Sequence, residues 1–175
     1  MSVDSEWVRE HVRDIADYPQ DGVVFRDITP LLGGGAAFGR AIDDLVSRFA
    51  DIGVDRVVGV EARGFKLAAP VAYRLRAGFV PVRKAGKLPW AVAREEYELE
   101  YGTDKLEIHR DAIHPEDRIL IIDDVLATGG TASATCRLVD ALGGSVVGLG
   151  FLVELPSLGG RSALDGRRVE SLVEY

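Results

Sequence analysis

Segments that are apolar at nearly every position alternate along this chain with segments that are apolar on one helical face only. The first kind lies at 55–62, 78–84, 118–123 and 145–155, with a mixed final segment at 167–175. The second kind lies at 38–50, 64–76 and 131–144. Buried strands that alternate with amphipathic helices are typical of a parallel sheet covered by helices. The pattern therefore predicts an α/β fold with a central, mainly parallel, twisted sheet flanked by helices.

The segment 38–50 gives the clearest helical pattern. Its apolar residues recur every three or four positions and so share one face of a helix. They are Phe38, Ala41, Ile42, Leu45, Val46 and Phe49.

The segment 88–117 does not fit this alternation. Apolar side chains occupy alternate positions at Tyr97, Leu99 and Tyr101, and again at Leu106 and Ile108. Alternation on both sides of a turn-like "YGTD" predicts a β-hairpin, which we expect to lie outside the main sheet. A two-stranded extension beside a binding face is a candidate lid.

Composition narrows the class of protein. The 175 residues, 47% hydrophobic and 28% charged, fit a single globular domain over 1–175. One cysteine, no apolar run long enough to span a bilayer and an acidic, helix-like N-terminus predict a cytoplasmic protein that is not secreted and does not bind membranes. The net charge of −7 argues against a nucleic-acid partner. The basic cluster at 83–87 can still attract a small polyanion.

Three loops with charged or glycine-rich sequences follow predicted strands. They begin after positions 60, 83 and 122 and read "VEARGF", "VRKAGKLP" and "DDVLATGGT". In open α/β sheets, ligands bind outside the carboxyl ends of the strands. We therefore expect these loops to converge on one binding site.

The loop "ATGGT" at 127–131 is suited to a phosphate. Gly129 and Gly130 permit close backbone approach, Thr128 and Thr131 offer hydroxyl groups, and a following helix adds free N–H groups. The loop lacks the lysine of the nucleoside-triphosphate motif, which disfavours ATP hydrolysis. Glycines alone would favour a plain strand-to-helix turn.

The acids Asp123 and Asp124, which precede this loop, change that interpretation. Adjacent carboxylates repel each other and need a partner. A vicinal sugar diol can donate a hydrogen bond to each, and a magnesium ion can offset their charge. The alternative is that one acid caps the helix and the other is solvated.

The stretch "ILIIDDVLATGGT" at 119–131 resembles the phosphoribosyl-pyrophosphate motif of the type I phosphoribosyltransferases. Together with "DGVVFRDITPLL", "EARGF", "VRKAGKLP" and "EEYELEYGTDKLEIH", the resemblance covers about 18 to 155 and is closest to members that use adenine. It implies the type I fold, with an N-terminal hood at about 18–35 and a β-hairpin lid at about 85–105.

The resemblance also implies roles for single residues. Asp123 and Asp124 would hold the ribose hydroxyls. The 5-phosphate would be bound by Ala127, Thr128, Gly129, Gly130 and Thr131. Pyrophosphate would be bound by Arg63, in a loop with a non-proline cis peptide, and by Arg83, Lys84 and Lys87, in part across a homodimer interface. The base would stack on Phe25, be read by the backbone of Val24 and Arg26, and be closed off by Leu155. Glu100 would be the general acid/base.

The implied reaction converts adenine and phosphoribosyl pyrophosphate to AMP and pyrophosphate. Its cofactor would be Mg2+, held mainly through the substrate and water, because the sequence encodes no metal cage. Transfer to hypoxanthine, guanine or xanthine, and a non-catalytic regulator that binds phosphoribosyl pyrophosphate, are the alternatives.

Several of these residues also have a plainer interpretation. Phe25 could belong to the core, Arg63 to an ordinary turn, the 83–87 cluster to a solvated surface, and Glu100 and Tyr101 to exposed hairpin positions. The apolar segment 90–93 departs from the more polar lid of the family.

Overall fold

Nine strands and four α-helices form the regular structure of residues 6–99, 102–164 and 166–175, which are the residues that this computed structural model describes. The strands are β1 (Arg13–Ala16), β2 (Val24–Asp27), β3 (Arg56–Val60), β4 (Gly78–Lys84), β5 (Val92–Leu99), β6 (Gly102–His109), β7 (Arg118–Leu126), β8 (Ser145–Glu154) and β9 (Val169–Glu174). The α-helices are α1 (Thr29–Gly33), α2 (Gly35–Ser47), α3 (Arg63–Leu75) and α4 (Gly130–Ala141). Short 3-10 helices cover Glu6–His11, Pro156–Leu158 and Gly160–Leu164.

Seven strands form one sheet in the order β5-β6-β4-β3-β7-β8-β9. The five strands from β4 to β9 in this order pair in parallel, and α3 and α4 connect parallel neighbours across its two faces. The prediction of a mainly parallel sheet flanked by helices is confirmed. Its physical origin is the run of strands that are apolar on both sides, since each side of the sheet must be covered.

The hairpin of β5 and β6 is confirmed, but its predicted place outside the main sheet is wrong. Strand β6 pairs antiparallel with β4, where Arg83 lies opposite Glu107 and Lys84 opposite Leu106. The alternating apolar side chains Tyr97, Leu106 and Ile108 are buried in the same core cluster as α4. The hairpin therefore extends the sheet at its edge. The connection through positions 100–101 lies outside the described residues.

Two apolar cores lie on the two faces of the sheet. The predicted face of α2 belongs to the second core, in which Leu45 and Phe49 are fully buried. The Phe49 ring lies against Gly148 and Gly150 of β8, and a Cβ atom on Gly150 would be 2.9 Å from Phe49 Cε2 and 2.7 Å from Ile122 Cδ1. The missing side chains of β8 thus make room for the aromatic ring.

Within residues 6–19, the N-terminal segment that the sequence describes as helix-like is helical over Glu6–His11 alone, as a 3-10 helix. Residues Arg13–Ala16 form β1 instead, which pairs antiparallel with β2 in a separate two-stranded sheet with Ile15 opposite Phe25. No helix among the described residues is long and apolar enough to cross a bilayer.

We expect Gly150→Ala to lower the free energy of unfolding by about 1–3 kcal/mol, because the new methyl group would overlap two fully buried side chains. Urea denaturation measures the change. Gly39→Ala is the control, since Gly39 is an exposed position inside α2 with nothing within 4 Å of the new methyl group. That substitution should raise stability by up to about 1 kcal/mol. Equal stability of Gly150→Ala and the wild type would contradict the packing argument.

Candidate active site

A cavity of about 480 Å³ lies at the carboxyl ends of β3 and β7. The loops after β3 and β7 both line it, so the predicted convergence is found for these two loops, whereas the third contributes Lys84 alone. The predicted site residues that line it are Val24, Phe25, Arg26, Arg63, Lys84, Asp123, Asp124, Ala127, Thr128, Gly129, Gly130, Thr131 and Leu155. Arg83 and Lys87 are not part of the lining. Glu100 lies outside the described residues.

The loop between β7 and α4 requires a glycine at position 129. Strand β7 runs on to Leu126, past the predicted end at 123, and Gly129 has a φ of +82° directly before α4 begins. A Cβ atom on Gly129 would lie 2.5 Å from the Gly160 carbonyl oxygen, so a larger residue cannot fit. A backbone of this shape at a helix N-terminus presents free N–H groups to an anion.

The two acids near the end of β7, Asp123 and Asp124, have different partners. Asp123 Oδ1 accepts a hydrogen bond of 2.9 Å from the Asp124 backbone N–H. Burial, and then the charge of Asp124, raise the pKa of the Asp123 carboxyl well above its ordinary value. The N-cap of α4 is Gly129, with no side-chain hydrogen bond. The alternative that one acid caps the helix is therefore wrong.

Asp124 has a buried oxygen with an incomplete set of partners. Its side chain is 7% exposed, and its Oδ2 atom lies 2.9 Å from Arg63 Nε in an ion pair. That contact lacks hydrogen-bond alignment, so Oδ2 accepts no hydrogen bond within the described part of the chain. A buried carboxylate oxygen in this state favours a donor supplied by a ligand, such as a sugar hydroxyl.

Arg63 connects three parts of the cavity. It is the first residue of α3 and follows the Glu61–Ala62 peptide, which is a non-proline cis bond. The expected cis peptide in this loop is confirmed. Besides its ion pair with Asp124, the Arg63 guanidinium carbon lies 5.0 Å from the centre of the Phe25 ring. The interpretation of Arg63 as an ordinary turn residue is therefore too simple.

Glu61 lines the cavity but was not among the predicted site residues. Its carboxylate is 7% exposed, and it accepts hydrogen bonds from Arg83 Nε at 3.0 Å, the Lys84 backbone N–H at 3.1 Å and the Lys87 ammonium group. Burial raises the pKa of Glu61, but the bonds from Lys87, Lys84 and Arg83 outweigh it and hold that pKa below its ordinary value. The sequence signal that could have identified Glu61 is an acidic residue directly after β3 together with a basic cluster at the end of β4, the next strand along the chain.

The basic cluster is thus not a freely solvated surface. Lys84 Nζ pairs with Asp104 of β6 at 2.8 Å, and the Tyr97 hydroxyl lies 3.4 Å from the same carboxylate. Neither Tyr97 nor Asp104 was among the predicted site residues. Both lie on the hairpin, whose position against β4 could not be read from the sequence.

Phe25 faces the cavity and belongs to neither core cluster. Its interpretation as a core residue is therefore wrong. The ring is half-buried and packs edge-on against Tyr18 at 5.3 Å between centroids. Leu155 lines the same cavity, and its N–H donates to the Leu126 carbonyl oxygen at 2.9 Å. Leu158, also in the lining, was not predicted.

Comparison with known proteins identifies the family. The family model of the phosphoribosyl transferase domain matches residues 28–170. The adenine phosphoribosyltransferase of Acidothermus cellulolyticus is 56% identical over 168 residues, which are 96% of this chain and 95% of that protein. This chain belongs to the adenine phosphoribosyltransferases.

Solved structures of adenine phosphoribosyltransferases agree with this fold. The enzyme of Thermoanaerobacter pseudethanolicus has a TM-score of 0.95 and 48% identity, covering 98% of this chain and 99% of that one. The Saccharomyces cerevisiae enzyme, solved with adenine and an imino-altritol bisphosphate, has a TM-score of 0.92 and 36% identity, covering 99% and 100%.

The apolar segment 90–93, for which the sequence predicts a departure from the family, divides into two parts. Trp90 is 70% exposed and lies before the hairpin. Val92 and Ala93 belong to β5, and Ala93 packs against the buried core. Half of the segment is therefore explained by the sheet, whereas nothing in the structure explains the exposed Trp90.

Proposed function

We propose that this chain catalyses the purine-salvage transfer of a phosphoribosyl group from phosphoribosyl pyrophosphate to adenine, which gives AMP and pyrophosphate. The observation that carries this function is the buried, incompletely bonded Asp124 carboxylate beside a glycine phosphate loop. A phosphate loop alone accepts any phosphate monoester, whereas an adjacent pair of acids calls for hydroxyl donors. Similarity over nearly the whole chain to enzymes named for adenine supports the same reaction.

In this proposal the ribose 5-phosphate lies across the end of β7. The hydroxyl groups of the sugar donate to Asp123 and Asp124, and the backbone N–H groups of 127–131 bind the phosphate. The base enters beside Phe25, which stacks on one face of the ring, while the backbone of Val24 and Arg26 reads its edge. Leu155 covers the other face of the base.

Pyrophosphate is assigned to the cationic side of the cavity, with Arg63, Lys84, Arg83 and Lys87. Negative charge develops on the pyrophosphate as it leaves C1 of the ribose, and fixed cations stabilise that charge. Mg2+ usually binds one or two carboxylates together with substrate phosphates and water. The described residues contain no group of three or more metal-binding side chains, so Mg2+ would be held here mainly through substrate oxygens and water. When bound, Mg2+ would neutralise part of the pyrophosphate charge.

Positive charge develops on the ribose ring, and water must be kept from it. We assign this task to the lid at about 85–105, formed by the loop after β4 and the hairpin, with the hood at about 18–35 on the base side. Both belong to one domain over 1–175. Glu100, which lies outside the described residues, is the proposed general acid/base for the purine proton. Localisation in a reducing cytoplasm stays a prediction.

Nucleotide formation tests the reaction directly. We expect AMP as the product when the protein is incubated with magnesium, phosphoribosyl pyrophosphate and adenine, and no nucleotide with guanine, hypoxanthine or xanthine. Chromatography of each mixture measures this. Nucleotide from another base alone would change the assigned substrate, and no product from any base would favour the regulator.

We expect Glu100→Gln to lower kcat by about 100-fold or more, the usual scale for loss of a general acid/base. Initial-rate kinetics with adenine measure the change. Glu96→Gln on β5 is the control, since its exposed carboxylate pairs with Lys105 at 3.1 Å. Its kcat should stay within about twofold of the wild type, as for most surface substitutions. Unchanged turnover of Glu100→Gln would remove Glu100 from the mechanism.

We also propose that the protein is a homodimer. Tyr73 is 83% exposed and Phe79 is 38% exposed, and Phe79 packs edge-on against Phe65 at 5.8 Å. Phe65, Ala69 and Tyr73 follow one another at four-residue spacing on α3, directly after Arg63. Exposed aromatic residues grouped on one face are typical of a protein interface. A partner on this face would lie beside the proposed pyrophosphate site.

Tyr73→Glu should therefore shift the protein from dimer to monomer, because a carboxylate would be buried in an apolar contact. Sedimentation velocity measures the change. Tyr18→Glu, at a 55% exposed tyrosine outside this face, should leave the dimer intact. A wild-type monomer, or a Tyr73→Glu protein that remains dimeric, would contradict the proposed interface.

A further inference from the structure

Each cation assigned to pyrophosphate is already paired with a carboxylate. Arg83 and Lys87 bind Glu61, Lys84 binds Asp104, and Arg63 binds Asp124. Four cations thus share three carboxylates, because Glu61 pairs with both Arg83 and Lys87. An anion that binds at the cationic side of the cavity competes with these partners for the charge of the cations.

The pair of Arg63 and Asp124 differs from the others. Glu61 and Asp104 have no assigned contact with substrate, so they can only compete for cations. Arg63 and Asp124 are assigned to two parts of one substrate, the pyrophosphate and the sugar diol. Their 2.9 Å contact therefore joins the groups assigned to two parts of one substrate, and an anion drawn to Arg63 competes with Asp124 for its charge.

The cost of weakening this ion pair depends on the ligand. Pyrophosphate alone can bind Arg63 but gives the Asp124 carboxylate, whose side chain is 7% exposed, no new partner for the counter-charge that it weakens. An unpaired buried charge is strongly unfavourable. Phosphoribosyl pyrophosphate supplies the anion for Arg63 and hydroxyl donors for Asp124 together, so both groups regain partners.

We propose that the ion pair between Arg63 and Asp124 is a specificity-determining contact that selects a pyrophosphate attached to a sugar diol and weakens the binding of pyrophosphate alone. This inference rests on the proposed function of the site. It assigns Asp124 two opposite effects, since the carboxylate strengthens binding of the full substrate and opposes binding of its leaving group.

Calorimetric titration of Asp124→Asn tests these opposite effects. With magnesium held constant, phosphoribosyl pyrophosphate should bind at least about tenfold more weakly, because the diol loses charge-assisted hydrogen bonds. Inorganic pyrophosphate should bind about tenfold more tightly, because Arg63 no longer has a competing anion. A merely structural role of Asp124 would weaken both ligands. Unchanged or weaker pyrophosphate binding would overturn the proposal.

A double-mutant cycle separates the ion pair from the general charge of the cavity. In an Arg63→Gln background, Asp124→Asn should change the pyrophosphate affinity by no more than about twofold. Asp123→Asn is the matched control, since this neighbouring carboxylate accepts the Asp124 N–H and lies in the same cavity. Persistent tightening in the Arg63→Gln background, or equal tightening by Asp123→Asn, would overturn the proposal.

The same titrations distinguish this inference from the function on which it rests. If the wild type does not bind phosphoribosyl pyrophosphate, the proposed function fails and the inference fails with it. If the wild type binds and Asp124→Asn weakens that binding without tightening pyrophosphate, the proposed function stands and only the inference fails.

Discussion

The parallel pairing of β3 with β7 is the constraint on which the site depends. Gly59 lies opposite Ile122, so the residues that follow both strands emerge at the same edge of the sheet. A Cβ atom on Gly64 would lie 2.5 Å from Asp123 Oδ1, which means that only glycine permits this approach of α3 to β7. The contact between Arg63 and Asp124 follows from that approach. Neither residue could reach the other if the two strands were not neighbours.

The basic residues beside the cavity are each paired with a carboxylate of the protein itself. This acidic protein holds the basic residues beside the cavity next to carboxylates, and Glu61 alone accepts bonds from Arg83, Lys84 and Lys87. These bonds fix the cations in place, which limits the reorganisation needed when charge develops on a leaving group. They also reduce the attraction for simple anions.

The hairpin illustrates how far periodicity can predict structure. Alternation at Tyr97, Leu106 and Ile108 correctly predicts two strands with one buried face. It does not say what covers that face, because a period of two is the same in an isolated hairpin and at the edge of a large sheet. The antiparallel backbone pairing of β6 with β4, in which Arg83 lies opposite Glu107, places the hairpin in the main sheet. It joins residues that no local sequence pattern connects.

The sequence by itself determined the α/β class and the glycine loop that follows two acids, since these depend on local apolar spacing and on residues adjacent in the chain. It also indicated Phe25 and the basic cluster through the resemblance to a family. Only the tertiary structure decided that Glu61 binds this cluster and that Asp124 pairs with Arg63. Those contacts join separate strands, and the order of strands in a sheet arises from packing across the whole chain.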